Sequence, residues 1–89
     1  MMQQRRITEW LGGHNEDALL ADGFEDAFLG VCEQFGRPPV AAYDYDGCIK
    51  ALERDGMSQE EAQEYFDFNV LGAWVGASTP VFVTLWEDE

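Results

Sequence analysis

Residues 57–76 read MSQEEAQEYFDFNVLGAWVG, and this stretch carries a helix start, an amphipathic body and a glycine-punctuated exit. Ser58 is followed three residues later by Glu61. This is the S-x-x-E capping box, in which hydroxyl and carboxylate each satisfy a backbone N–H left orphaned at a helix N-terminus, so a helix is predicted to begin at Gln59. Ala62, Tyr65, Phe66, Asn69, Val70 and Ala73 recur at helical spacing and form one stripe, apolar except for a single amide, that faces the core. Glu60, Glu64 and Asp67 lie on the opposite side, spaced by about 4 to 6 Å along the axis. No lysine or arginine follows any of them at i+4. The ridge therefore repels itself by roughly a few tenths of a kcal/mol per pair, and a function other than stability is the motive for keeping it acidic.

Outward from this helix, Asp44 reads as the N-cap of a preceding one, with Tyr45, Cys48, Ile49 and Leu52 at i, i+3, i+4 and i+7 and a stop at Asp55-Gly56. Gly56 suits the left-handed residue after the last turn. Met57 then packs back on Leu52 and staples the next helix against Ala62, so two helices meet at a tight corner. Ala27 to Phe35 (AFLGVCEQF) is rich in aromatic and branched residues and reads as the first strand, with Gly30 marking a bulge or a close backbone approach. Gly36-Arg37-Pro38-Pro39 is turn chemistry, and Val40 to Tyr43 returns as the second strand of a hairpin, with the prolines placing it at an edge. Beyond the helical corner, Gly72, Gly76 and Ser78-Thr79-Pro80 break the pattern. Val81 to Trp86 (VFVTLW) is then a strand ahead of a Glu87-Asp88-Glu89 tail.

At the N-terminal side, Ile7, Trp10 and Leu11 fit one face of a short helix ending at Gly12-Gly13, and His14 to Asp26 reads as irregular with one helical turn. The predicted class is α+β: one domain over residues 1–89, a short N-terminal helix, and a small antiparallel sheet of about three strands covered by the two-helix corner.

The bulk numbers set the function classes. Eighteen acidic residues against five basic ones give a net charge of −13, which disfavours direct contact with nucleic acid or an anionic membrane and makes basic proteins the natural partners. Cys32 and Cys48 lack C-x-x-C spacing and companions for a disulfide framework. Both read as buried thiols, and a cytoplasmic setting follows. Neither a signal segment nor an apolar run of the ~20 residues needed to span a bilayer is present.

Catalytic and metal motifs are weak. VAAYDYDGC resembles the D-x-D-G strand end of haloacid-dehalogenase-type phosphatases, which would make Asp44 a nucleophile and Asp46 an acid/base. The likeness covers only that stretch, Cys48 replaces the expected threonine, and the chain has no room for that family's doubly wound sheet. Asp44, Asp46 and Asp55 match positions 1, 3 and 12 of a calcium loop, but Ile49 stands where the loop requires glycine. His14 beside Glu16 and Asp17 is a solvated polar run rather than a metal site. No nucleophile–base pair stands out, so the expectation is a protein that is no enzyme and takes no cofactor. Tyr65, Phe66, Phe82 and Trp86 are expected in the core. Trp74, between Gly72 and Gly76, is a candidate interface anchor or a lid over the sheet. Asn69 is expected to satisfy a carbonyl inside the fold rather than to meet a ligand.

The run EYFDFNVLGAWVGASTPVFV, together with GFEDAFLGV and the D-G-M-S-x-E-E-A corner, resembles a group of small proteins that recur in bacteriophage and prophage genomes. The likeness spans most of the chain from about Leu20 onward. It implies a phage source, and by class a host-takeover or counter-defence role such as CRISPR inhibition or DNA mimicry. Three readings follow. The first is a non-catalytic protein that binds a host protein with a basic surface through Glu60, Glu64 and Asp67, extended by Glu16, Asp17, Glu25, Asp26 and Trp74. The second is a binder of a small molecule or nucleotide signal at the Gly72–Thr79 loop, with Trp74 stacking and with Arg37, Lys50 and Arg54 the only downstream cations. The third is an accessory protein that works as a homodimer or larger oligomer.

Overall fold

The computed structural model describes residues 2–87; Asp88 and Glu89 of the acidic tail lie outside it. The elements run α1 (Met2–Gly12), a 3-10 turn (Glu25–Ala27), β1 (Phe28–Gln34), β2 (Arg37–Asp44), α2 (Tyr45–Arg54), α3 (Gln59–Phe66), a π turn (Asp67–Leu71) and β3 (Val81–Val83). The class is α+β, as the patterns predict. No helix among the described residues is long and apolar enough to cross a membrane.

The sheet has the order β1-β2-β3. β1 and β2 form the expected antiparallel hairpin, with Phe28 opposite Tyr43 and Cys32 opposite Val40. Leu29 is the extra residue where the register shifts between Phe28 and Gly30. Gly30 absorbs the kink at φ 150°, the backbone freedom for which glycine is needed. β3 departs from the expectation of an all-antiparallel sheet, because it pairs parallel to β2, Ala42 with Val81 and Asp44 with Val83. The two-helix corner lies between β2 and β3 and acts as the crossover that a parallel pair requires. β2 is thus central rather than an edge. Its prolines are tolerated because β3 pairs only from Ala42 onward, so Pro38 and Pro39 occupy a part of the strand with one open side.

The helical corner forms as written in the sequence. Met57 N–H donates to the Leu52 carbonyl at 3.3 Å and Gly56 N–H to that of Glu53 at 3.0 Å. This is the paired bonding of a Schellman stop, with Gly56 at φ 109°. Ser58 then caps α3, and Met57 packs against the core.

One face of the sheet, carrying Phe28, Val31, Ala41, Tyr43 and Phe82, meets Cys48, Ile49 and Leu52 of α2 and Ala62 and Phe66 of α3, with Leu11 and Phe24 closing the sides. Phe66 is the hub. Its ring packs edge-on against Phe24 at 5.4 Å and Phe82 at 5.0 Å between centroids, and against Tyr45 at 5.4 Å. Tyr43 lies fully inside, and its hydroxyl oxygen accepts a hydrogen bond from Ala21 N–H at 2.9 Å, so the irregular 14–26 segment is tied to the core by a satisfied polar group. The predicted core needs correction at four places. Tyr65 is 44% exposed and Trp86 85% exposed, because α3 turns Tyr65 to the solvent side and strand pairing ends at Val83. Ala73 falls beyond the helical turns and is exposed, and Cys32 is exposed on the sheet while only Cys48 is buried.

Candidate functional site

α3 is positioned by both halves of its capping box: Glu61 N–H donates to Ser58 Oγ at 3.1 Å, and Ser58 N–H donates to Glu61 Oε1 at 3.0 Å. With Ala62 and Phe66 turned inward, residues 61, 64, 65 and 68 share the outward face. They line an open trough of about 530 Å³ made of Glu61, Glu64, Tyr65 and Phe68. Phe68, 85% exposed, was not singled out by its sequence, although it falls three residues after Tyr65 and seven after Glu61. Asn69 is exposed rather than on a core-facing stripe, and its Nδ2 donates to the carbonyl of Tyr65, one turn back, at 3.1 Å. Beyond Phe66 the backbone widens to a π turn, closed by Gly72 N–H on the Asp67 carbonyl at 3.1 Å.

The acidic candidates differ in what their carboxylates meet. Glu60 and Glu64 are exposed on α3. Asp67 accepts a hydrogen bond from the Tyr45 hydroxyl at 2.8 Å, so it is partly engaged within the fold. Tyr45 in turn has its pKa raised by desolvation and by that bond to Asp67. Glu25 is held by the Gly23 N–H at 2.9 Å. Asp26 faces α2 and meets Arg54 at 3.4 Å, both side chains 63% exposed, an ion pair of little energetic weight. Asp26, Lys50, Glu53 and Arg54 line a separate, charge-mixed groove. Glu16 and Asp17 follow Asn15, whose Nδ2 donates to the Pro39 carbonyl at 2.8 Å and to Ser78 Oγ at 3.3 Å. Among the described residues no hydrogen bond or ion pair links them to α3.

Trp74, 70% exposed, stands on the other side of the sheet. With Cys32, Arg37, Val40, Thr79 and Val81 it lines a cleft of about 90 Å³. The bend beneath it is braced by Val75 N–H on Thr79 Oγ1 at 2.9 Å and by Thr79 Oγ1 on the Gly76 carbonyl at 2.7 Å. Trp74 and Arg37 do converge, but the volume lies far below the ~300 Å³ at which small-molecule sites begin.

The D-x-D-G segment lies at the junction of β2 and α2, and the expected side-chain cap is not formed there. Asp44 occupies the N-cap position of α2 without making a side-chain cap bond, and its Oδ1 is buried with no partner. Cys48, one turn on, has its thiol pushed up to about 12 by burial and then by the Asp44 carboxylate, the opposite of what a nucleophilic cysteine requires. No cluster of three or more metal-ligating side chains occurs among the described residues. Comparison with protein-family models, with curated proteins and with solved structures gave no match.

Proposed function

We propose that this is a non-catalytic, phage-derived binding protein whose α3 face engages a basic surface on a host protein and modulates it. The observation that carries this reading is the trough of α3. Two large aromatic side chains, Tyr65 and Phe68, stand 44% and 85% exposed and line the trough together with Glu61 and Glu64, with no cation among its lining residues. Exposed aromatics supply buried area and rigid anchors on association, and the flanking carboxylates select lysine- and arginine-rich partners and speed encounter. A host protein that handles nucleic acid fits this chemistry, because carboxylates at the spacing of Glu60 and Glu64 replace phosphates on such a surface. Counter-defence, including CRISPR inhibition by nucleic-acid mimicry, is the class of activity in keeping with the phage resemblance that runs from about Leu20 onward. Asp67 lends charge while remaining bonded to Tyr45, and Glu16, Asp17, Glu25 and Asp26 add to the long-range field.

The test is affinity capture from a host lysate with the wild type, a Glu60→Lys/Glu64→Lys double variant and Phe68→Ala. A nucleic-acid-handling protein should be retained by the wild type, released between about 50 and about 500 mM salt as the Debye length shortens, and lost from both variants. Capture indifferent to salt and to charge reversal would refute the reading.

A further inference from the structure

Phe66 and its neighbours stack ring on ring inside the fold, whereas among the described residues Tyr65 and Phe68 pack against no other aromatic ring. Both are exposed, and they share their trough with two carboxylates. Phe68 follows Glu64 by four residues, so ring and carboxylate are neighbours on one side of the chain. Glu61 gives one carboxylate oxygen, Oε1, to the Ser58 N–H at 3.0 Å and keeps Oε2 as a further acceptor. Neither glutamate takes part in an ion pair among the described residues. None of the five basic residues of the chain lines the trough; Lys50 and Arg54 line grooves on α2, and Arg37 lines the cleft under Trp74. Two free rings and two carboxylates thus stand together with no cation of the chain's own to answer them.

We infer that the trough is a seat for an arginine side chain of the protein partner, whose guanidinium lies on the Tyr65 and Phe68 rings while its N–H groups donate to Glu64 and Glu61; this rests on the reading of α3 as the partner-binding face and narrows the chemistry it selects. The combination of groups decides the occupant. An apolar side chain would cover the rings but would take water from two carboxylates without returning a hydrogen bond. A quaternary ammonium suits an aromatic face but has no N–H to donate. A lysine ammonium answers the charge, yet it is a compact, strongly hydrated point that leaves the rings uncovered. The guanidinium alone does both, because it is planar and weakly hydrated, stacks through its face and donates through its edge. A surface that imitated nucleic acid by charge alone would take lysine and arginine alike. This one discriminates between them.

Amide chemical-shift titration of the purified full chain tests it, with the end-blocked peptide Gly-Arg-Gly-Arg-Gly and its lysine twin as probes at about 50 mM salt. The arginine peptide should bind at least about threefold more tightly, with the shift changes centred on residues 61–68. A Tyr65→Leu/Phe68→Leu double variant, altered only at exposed positions and checked for folding by circular dichroism, should bind the two peptides equally. Glu64→Gln should weaken both. Equal binding of the two peptides by the wild type, a preference that survives loss of both rings, indifference to Glu64→Gln, or shift changes centred outside residues 61–68 would each overturn the assignment. The peptides need no host protein, so an arginine preference without capture from lysate would refute the host-binding reading alone, and capture without the preference would refute this inference alone.

Discussion

Cys48 shows how a single side chain ties the local motif to stability. It is wholly buried on α2 and its thiol is raised from 9.0 to about 12, by burial first and the Asp44 carboxylate second. The folded state therefore holds this proton more tightly than the unfolded chain. Its contribution to stability is complete below pH 9 and is lost as pH rises towards 12. Tyr43, whose pKa is also raised, chiefly by burial, acts in the same direction from about pH 10. Urea unfolding at pH 8 and at pH 10.5 should show a fall in stability, and Cys48→Ala, though less stable at both, should show a smaller fall; an equal pH slope in the variant would remove Cys48 as the cause. The buried, unpartnered Oδ1 of Asp44 adjoins this position, and no hydrogen bond in the fold accounts for it.

At the scale of elements, α3 is short, running only Gln59–Phe66 before the π turn, so its ends matter more than its propensity. Two of the backbone donors at its start, the N–H groups of Ser58 and Glu61, are satisfied by the reciprocal capping box. Ser58→Ala should cost about 1 kcal/mol in chemical denaturation, and because the outward face of α3 carries the proposed contacts, it should also weaken host-protein capture without changing its salt dependence. Ser58→Asp, which keeps an acceptor at the cap, should restore both. A variant with unaltered stability would show that packing of Phe66 and Ala62 holds the helix without its cap.

For the whole molecule, self-repulsion among carboxylates governs the surface. Eighteen acids face five bases, and Arg54 with Asp26 is the only ion pair among the described residues. Screening should therefore stabilise the fold: raising sodium chloride from about 20 to about 300 mM shortens the Debye length to below 10 Å and should raise the melting temperature, by about 4–8 °C for each kcal/mol of repulsion relieved. A melting temperature that is flat or falls with salt would mean that the carboxylates are spaced widely enough not to interact. The same charge imbalance leaves an acidic, aromatic trough on α3 and a carboxylate-free cleft on the sheet.

The residues themselves determined the features that depend on near neighbours. The capping box, the Gly56 stop, the bulge at Gly30 and the β1–β2 hairpin were all legible, because each satisfies backbone hydrogen bonds within a few positions. The acidic ridge was legible in part: Glu60 and Glu64 stand free, while the tie of Asp67 to Tyr45, 22 residues away, carries no local signal. Three other features were decided only by tertiary structure: the direction of β3, the outward turn of Tyr65, and the openness of Cys32 and Trp86. Strand direction is set by where the helical crossover returns the chain. Exposure is set by which distant elements cover a side chain, and a core as small as the one around Phe66 covers only some of the aromatic residues.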